Sequence, residues 1–196
     1  RGKQILLQQR EKRVRPLLDD KIILGWNALM NTAASKAFAA TGNERYRQLA
    51  LDNMNFILSA FKTENGFHHT WKDGQAKYPA FLDDLAFLVE ALLHLQEISG
   101  DTAWLTEAKK ITEMVQERFR EEDTGFFFYT PKGQTDVIVR KKEVYDSAVP
   151  SGNSVMAYNL YRLGILLDRP DWKQQAMENV SAMGNAVVRY PTSFSN

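Results

Sequence analysis

The chain repeats a unit of two helices joined by a short polar turn, and this repeat constrains its fold more than any other feature. Three such turns end in an aromatic residue, which is Tyr46, Trp104 or Trp172. The spacing is 58 residues from 46 to 104 and 68 residues from 104 to 172. Self-similarity at such a period is typical of stacked supersecondary units that bury their hydrophobic faces against each other. The sequence therefore predicts a stack of helical hairpins.

The two helices of each unit differ in the distribution of their apolar residues. The second helix is amphipathic: over residues 104–119, for example, apolar side chains recur at helical spacing and charged ones lie elsewhere around the helix. The first helices, predicted at 23–40, 81–96 and 151–167, are apolar or small on most sides. We therefore expect an inner layer of buried helices and an outer layer of amphipathic ones. A further helix is predicted near residues 3–12.

Two longer connections carry β-strand signals. Residues 66–74 and 125–133 are aromatic or β-branched runs closed by a glycine-containing turn, which predicts a short β-hairpin in each. The short turns join the end of each inner helix to the start of an outer one. The long connections must therefore lie at the other end of the stack, where the inner helices begin. We call this end the mouth, and loops grouped on one face of a rigid scaffold often carry function.

Aligning the units on their aromatic residues brings acidic, aromatic and amide side chains to the mouth. Carbohydrate chemistry uses carboxylates that donate or accept protons near an anomeric or α-carbonyl carbon, and crowded carboxylates acquire different pKa values. We therefore predict a sugar-type pocket. The candidate catalytic acids are Asp20, Asp84 and Asp146. The candidate substrate-binding residues are Lys21, Trp26, Asn27, Tyr78, Asp83, Tyr145, Ser151 and Asn153.

Several of these residues also have a purely structural interpretation. An Asp or Ser beside a helix start is most often an N-cap. We expect this role for Asp19 or Asp20, for Asp83 and for Ser151. Asp84 is not explained in this way, because one acid per helix start is sufficient.

The remaining polar candidates leave two interpretations open as well. Asn27 and Asn153 occupy matching positions one step inside the mouth, where each could bind substrate or simply bond a neighbouring loop. Either His68 or His69, in the first predicted β-hairpin, could reach the pocket as a base. His94 is expected at the far end of its inner helix, as an ordinary structural histidine.

Three segments together resemble a known family. They are RPLLDDKIILGWNALM, YPAFLDDLAFLVEALLHL and YDSAVPSGNSVMAYNLYRL. They resemble the all-helical region of a family of thioredoxin-fused proteins that includes the spermatogenesis-associated proteins of animals. The resemblance implies an all-α (α/α) toroid, similar to six-hairpin glycosidases and to N-acylglucosamine 2-epimerase. Because fold does not fix function, an enzymatic activity on a sugar or sugar derivative remains a hypothesis. Its alternative is a non-catalytic module that binds a glycan, a peptide or a protein.

The resemblance also bears on completeness and partners. The family's thioredoxin-like part has no counterpart here, and a toroid of this kind has about six hairpins. We therefore expect residues 1–196 to be a single toroid-type domain of about three hairpins, and a fragment of a longer chain. Half a ring exposes apolar helix flanks, which predicts that the partner is the missing part of the chain or a second copy. A small carbohydrate is the expected ligand.

Composition argues against several other classes. The net charge is +1, and no apolar run is long enough to cross a bilayer, so we expect neither a nucleic-acid partner nor a membrane partner. The chain has no cysteine, which excludes disulfides, thiolate zinc sites and iron–sulfur clusters within it. With only three histidines, no metal site and no cofactor are expected. The charged first residues do not look like a signal peptide. The start of the chain does not reveal the compartment, which stays unknown, with the cytoplasm slightly favoured.

Overall fold

Three helical hairpins account for most of the computed structural model, which describes residues 2–135 and 137–194. The inner helices are α2 (Leu24–Thr41), α4 (Leu82–Ser99) and α6 (Gly152–Leu166). The outer helices are α3 (Glu44–Ala60), α5 (Thr102–Arg118) and α7 (Pro170–Ala182). The described residues also form α1 (Gly2–Glu11), α8 (Gly184–Arg189) and a 3-10 turn at Pro191–Ser193. The predicted inner and outer helices and the N-terminal helix are confirmed.

Helix α4 is the centre of the hydrophobic core. It packs against α2 and α6 in the inner layer and against α5 in the outer layer. Between Leu82 and Leu95, its buried side chains point in nearly every direction. Burying one such leucine contributes about 1.5–3 kcal/mol, so this helix supplies a large part of the stability. This environment explains why its sequence lacks the polar face of an ordinary surface helix.

The turns between inner and outer helices follow from local residue preferences. Helices α2 and α4 end at Gly42 and Gly100, whose φ angles of 66° and 72° are left-handed and suit glycine. Asn43 and Asp101 then cap α3 and α5 by accepting hydrogen bonds from backbone N–H groups two residues later. The third turn has no glycine, and its left-handed residue is Asp168. These turns fix the helical hairpins as tight antiparallel pairs.

A small antiparallel sheet lies beside the start of α2 and α4. Its strands are β1 (Ile22–Ile23), β2 (Lys62–Thr63), β3 (Gly66–Lys72) and β4 (Gln75–Pro79), and β3 pairs with the other three. Asp73 and Gly74 form the turn of the β3–β4 hairpin with φ angles of 51° and 75°, as a two-residue turn with two positive φ angles requires. The first predicted β-hairpin is therefore confirmed, and it lies at the mouth.

The second predicted β-hairpin, at 125–133, is wrong. Apart from residue 136, which lies outside the described part, the segment between α5 and α6 contains an isolated bridge between Arg120 and Phe127 and otherwise turns and irregular backbone. Pro131 cannot donate to a strand ladder, which disfavours a hairpin there. The Arg140 guanidinium holds the segment by donating to the carbonyls of Thr130 and Arg118. It also lies 4.1 Å from the centre of the Phe128 ring.

None of the helices in the described residues is long and apolar enough to span a membrane. The inner helices owe their apolar character to burial inside the protein.

Candidate functional site

Asp83 and Asp84 reach the N-termini of two different neighbouring helices. The Oδ1 atom of Asp84 accepts a hydrogen bond of 2.9 Å from the backbone N–H of Gly25 in α2. The Oδ1 atom of Asp83 accepts one of 2.9 Å from the backbone N–H of Gly152 in α6. Successive residues of a helix point roughly 100° apart, so two adjacent acids can face opposite neighbours. Helix N-termini have unpaired N–H groups and a positive dipole, which favour this arrangement. We call these four residues the carboxylate clasp.

The clasp requires glycine at both donor positions. A Cβ atom at Gly25 would lie 2.9 Å from Asp84 Oδ1 and 3.3 Å from the Phe87 ring. A Cβ atom at Gly152 would overlap Asp83 Oδ1 and lie 3.0 Å from Leu82 Cγ. Each carboxylate therefore takes the space that a side chain would fill.

Asp84 has two more partners and is 3% exposed. Its Oδ2 atom accepts a hydrogen bond of 2.9 Å from the backbone N–H of Phe81 and lies 2.7 Å from His69 Nδ1. It is therefore Asp84, and not Asp83, that caps the start of α4; the expectation for Asp83 is corrected because its carboxylate turns toward α6. The hydrogen bond that the His69 ring donates to the Asp84 carboxylate raises the pKa of His69, and burial opposes this increase. The pair favours a protonated His69 at the mouth.

The carboxyl of Asp83 has an unusual proton affinity. Burial raises its pKa to about 6, and the nearby charges of Asp84 and Glu143 add to the increase, while the hydrogen bond from Gly152 opposes it. Its Oδ2 atom has no hydrogen-bond partner within residues 2–135 and 137–194. A carboxyl whose pKa is close to neutral can both donate and accept a proton at physiological pH. Asp83 is therefore a candidate for acid–base chemistry at the mouth.

Aromatic rings surround these acids. The rings of Phe81 and Tyr129 are stacked with their centres 4.8 Å apart, and the His69 ring lies 4.8 Å from Phe81 on a tilt. Burial raises the pKa of the Tyr129 hydroxyl to about 12, and the charges of Asp83 and other acids contribute. The phenol therefore stays protonated and available as a hydrogen-bond donor. This group of rings and acids is what the structure assembles at the mouth.

The two candidates from the segment before α2 lie on the exposed surface. Asp20 forms an ion pair with Lys72 at the end of β3, which lowers the pKa of Asp20. The Nζ atom of Lys21 lies 2.9 Å from Asp19. Neither aspartate caps α2, whose N-cap position is Ile23, so that expectation is wrong. The reason is that β1 pairs with β3 and carries the chain past the acids before the helix begins.

The three aromatic candidates are exposed. Trp26, which follows Gly25, and Tyr78 are each 64% exposed, and Tyr78 has a left-handed backbone with φ 62°. Tyr145 packs its ring against Tyr190 and Phe194 near the C-terminal end. Trp26 thus adjoins the clasp, whereas Tyr145 belongs to a separate aromatic group.

The candidates around α6 make structural hydrogen bonds. Ser151 caps the helix by accepting a bond from Ser154 N–H, as expected, and Asp146 Oδ1 accepts one of 2.9 Å from Ser151 N–H. The buried Asn153 accepts a bond from Phe127 N–H and donates to the carbonyls of Phe127 and Glu143. These bonds attach the long α5–α6 connection to the inner layer.

Asn27, at the matching position in α2, also bonds the protein. It donates to the carbonyl of Ile23 and accepts a bond from the side chain of Asn53 in α3. The loop-bonding interpretation of Asn153 thus has a direct observation behind it, and Asn27 joins an inner helix to its outer partner. Substrate-binding roles for both residues remain predictions.

Replacing Asn153 with Asp tests the attachment of the α5–α6 connection. The aspartate keeps the acceptor but loses both donors and places a charge against two carbonyls. We expect the free energy of unfolding to fall by about 2–3 kcal/mol, as measured by urea denaturation. The control is Asn43→Asp at the exposed cap of α3, where the two residues are equally good caps. Equal stability of the two variants would contradict the assignment.

Sequence reasoning missed several members of the mouth. Phe81, Tyr129 and Glu143 were not among the candidates, and His69 was considered only as one of two possible bases. The one usable signal was the position of His69 on the first strand of a hairpin whose second strand leads into α4. The contact with Asp84 depends on the strand register, which residue spacing alone does not give.

Comparisons with known proteins fit this structure. No family model matches the chain. Spermatogenesis-associated protein 20 of Rattus norvegicus is 30% identical over 98% of this chain and 26% of its own length. An uncharacterised protein of Caenorhabditis elegans is 31% identical over 89% of this chain and 25% of its own length. The resemblance to the spermatogenesis-associated proteins is confirmed. The chain spans about a quarter of the length of these curated relatives.

Several solved structures that share this fold are carbohydrate enzymes by their names. Cellobiose 2-epimerase from Spirochaeta thermophila matches 83% of this chain and 43% of its own, with a TM-score of 0.66 and 19% identity. The family 76 α-mannanase of Bacteroides thetaiotaomicron matches 87% of this chain and 47% of its own, with a TM-score of 0.68 and 15% identity. A family 105 glycoside hydrolase of C. acetobutylicum matches 94% of this chain and 57% of its own, with a TM-score of 0.66 and 14% identity. At these identities the likeness establishes the fold, which is the predicted glycosidase-like (α/α) toroid type.

Proposed function

We propose that the mouth binds a sugar or sugar derivative and that Asp83 exchanges a proton with it. The observation that carries the proposal is the state of the Asp83 carboxyl, whose pKa is raised to about 6. Gly152 fixes one of its oxygens, and the other makes no hydrogen bond in the described residues. A positioned carboxyl with a pKa near the working pH is what general acid–base catalysis needs.

The surroundings of Asp83 suit a sugar. The rings of Phe81, Tyr129 and the exposed Trp26 offer flat apolar surfaces for the C–H faces of a pyranose. The protonated Tyr129 hydroxyl and the His69 imidazole, which Asp84 orients, would donate hydrogen bonds to sugar hydroxyls. In this proposal Asp84 holds the site together and Asp83 carries the chemistry.

The solved structures support a carbohydrate ligand. They include an inactive variant of an α-1,6-mannanase from Salegentibacter, in which two adjacent aspartates are replaced and which holds α-1,6-mannotetraose. Adjacent aspartates are also the central feature of the mouth here. This parallel favours the pair Asp83–Asp84 over the three separate acids Asp20, Asp84 and Asp146.

A second candidate function is a non-catalytic module that binds a glycan, a peptide or a protein. The observation in its favour is that the carboxylates of Asp20, Asp84 and Asp146 all have structural partners. In that case the sugar would bind at the mouth without reacting.

Both functions can be tested by NMR titration of the ¹⁵N-labelled chain with cellobiose and with α-1,6-mannotriose. Binding should shift the amide signals of Gly25 and Gly152, which report on the two carboxylates of the clasp. The variant Asp83→Asn should still bind but should lose any conversion of the sugar seen in the anomeric ¹H signals. The control is Asp168→Asn in the α6–α7 turn, at the opposite end from the mouth, which should behave like the wild type.

The outcomes separate the two candidates. Conversion that depends on Asp83 supports the enzyme. Shifts without conversion in the wild type support the non-catalytic glycan-binding module. If neither sugar moves either amide signal at roughly 10 mM, where millimolar affinity would be visible, the carbohydrate proposal fails for these ligands.

A further inference from the structure

The α3–α4 connection and the α5–α6 connection begin with the same backbone contacts. In each, one residue just after the outer helix pairs antiparallel with a phenylalanine. The residue after this phenylalanine donates its N–H group to the carbonyl at the C-cap of the helix. The pairs are Lys62–Phe67 and Arg120–Phe127, and the donors are His68 to Phe61 and Phe128 to Phe119. The next residue is His69 in one connection and Tyr129 in the other, so these two residues are structural equivalents.

Both equivalents contact the same ring of the mouth. The centres of the His69 and Tyr129 rings each lie 4.8 Å from the centre of the Phe81 ring. Each connection thus delivers one ring to Phe81, the residue directly before α4. The mouth therefore contains an internal repeat. Residue spacing alone does not reveal it, because the second connection has two more residues between its paired positions.

The two rings are held in place by different means. Pairing of β3 with β4 fixes the residues on both sides of His69. After Tyr129, the described residues contain no strand. The guanidinium of Arg140 instead donates to the Thr130 carbonyl from Nη2 at 2.8 Å and from Nε at 3.1 Å. It also lies 4.1 Å from the centre of the Phe128 ring. Arg140 therefore contacts the residue before Tyr129 and the residue after it.

Arg140 is itself anchored where α5 ends. Its Nη2 atom also donates to the carbonyl of Arg118 at 3.3 Å, and the last carbonyls of a helix lack partners and carry the negative end of the dipole. The Tyr129 N–H group donates to the carbonyl of Lys141, the residue directly after Arg140, at 2.7 Å. The planar fork of an arginine can bond two carbonyls and cover a ring at the same time, which a lysine cannot.

We propose that Arg140 is a positioning residue of the mouth, which does for Tyr129 what strand β4 does for His69. It fixes the residues on both sides of Tyr129 and thereby keeps the phenol ring stacked on Phe81. The consequence for ligand binding rests on the proposed function, in which the rings of Phe81 and Tyr129 contact a sugar. In that case Arg140 acts on the affinity for the sugar without touching it.

NOE spectroscopy of the chain with ¹³C-labelled aromatic rings tests the positioning without any sugar. We expect the contact between the Phe81 and Tyr129 rings to be lost in Arg140→Ala. The contact between Phe81 and His69 should remain, because β4 still holds His69. Arg140→Lys keeps the charge but not the planar fork, and it should also weaken the Phe81–Tyr129 contact. If Arg140→Ala does not fold by circular dichroism, the Arg140→Lys variant decides.

The matched control is Lys142→Ala. Lys142 is a cation of the same connection and lies 5.8 Å from the centre of the Phe128 ring, but it pairs with Glu121 and bonds no carbonyl beside Tyr129. Both ring contacts should therefore survive in this variant. The proposal is overturned if the Phe81–Tyr129 contact survives in the Arg140 variants, or if both ring contacts are lost together.

The sugar titration then tests the link to the proposed function. Where the wild type binds cellobiose or α-1,6-mannotriose, displacement of one aromatic surface in Arg140→Lys should raise the dissociation constant by about two- to tenfold. An unchanged affinity together with a weakened ring contact would contradict the effect of Arg140 on binding. A wild type that binds neither sugar contradicts the proposed function, while the NOE contacts still decide the positioning by Arg140.

Discussion

Replacing Asp84 with Asn is expected to lower the free energy of unfolding by about 2–4 kcal/mol, the largest loss for any substitution considered at the mouth. The buried carboxylate accepts hydrogen bonds from Gly25 and Phe81 and pairs with His69. An asparagine has a single acceptor oxygen, so at least one buried N–H group loses its partner. Urea denaturation at pH 7 measures the effect.

The matched control is Asp101→Asn. Asp101 also accepts a hydrogen bond at a helix start, but it is exposed, and asparagine is an equally good cap there. Its substitution should change the stability by less than about 0.5 kcal/mol. A second measurement is the titration of His69 by ¹H NMR. The pKa of His69 should be lower in the Asp84→Asn variant than in the wild type. If both aspartates behave alike, Asp84 does not hold the mouth together.

Replacing Asp83 with Asn is expected to have the opposite sign. The pKa of Asp83 is raised from 3.8 to about 6, so the folded protein binds this proton more tightly than the unfolded chain does. The stabilisation is fully present below pH 3.8 and is lost as the pH rises through about 6. Above that pH the charged carboxylate is a strained group. Asn removes the charge and keeps an acceptor for Gly152.

The variant should therefore be more stable than the wild type at pH 7.5, by on the order of 1–2 kcal/mol, and the difference should shrink as the pH falls toward 4. Urea denaturation at a series of pH values measures both trends. Asp168→Asn serves as the control for a general effect of net charge. A stability difference that does not depend on pH, or a loss of stability at pH 7.5, would show that the carboxylate of Asp83 is not strained.

The hairpin repeat could be predicted because helical periodicity is a local property. The same holds for the β3–β4 turn, where Asp73 and Gly74 suit positive φ angles. The second predicted hairpin had similar aromatic residues and a similar glycine, but its backbone partners come from elsewhere. For example, the Tyr129 carbonyl accepts a bond from Leu82 at the start of α4, and Tyr129 N–H donates to Lys141. A local sequence pattern does not show that such distant backbone contacts will replace the pairing of a hairpin.

The position of these side chains at the starts of the inner helices could be predicted, but their contacts could not. The alignment of Trp26, Asp84 and Gly152 correctly indicated the end where the inner helices meet. The sequence pattern assigned the N-cap of α4 to Asp83, because it treats each helix start separately from its neighbours. The decisive partners are Gly25, 59 residues before Asp84, and Gly152, 69 residues after Asp83. Which neighbour each carboxylate faces depends on the rotation of α4 in the packed layer.

The carboxylate clasp also has a consequence for how the chain unfolds. In stacked repeats, stability is approximately the sum of each unit and its contacts with adjacent units, so single units can separate from the rest. Here both contacts of the middle hairpin include one dipeptide, Asp83–Asp84. Fraying of the first turn of α4 releases the helix starts at Gly25 and Gly152 together. The first and third hairpins are thereby joined through the middle one into one cooperative unit.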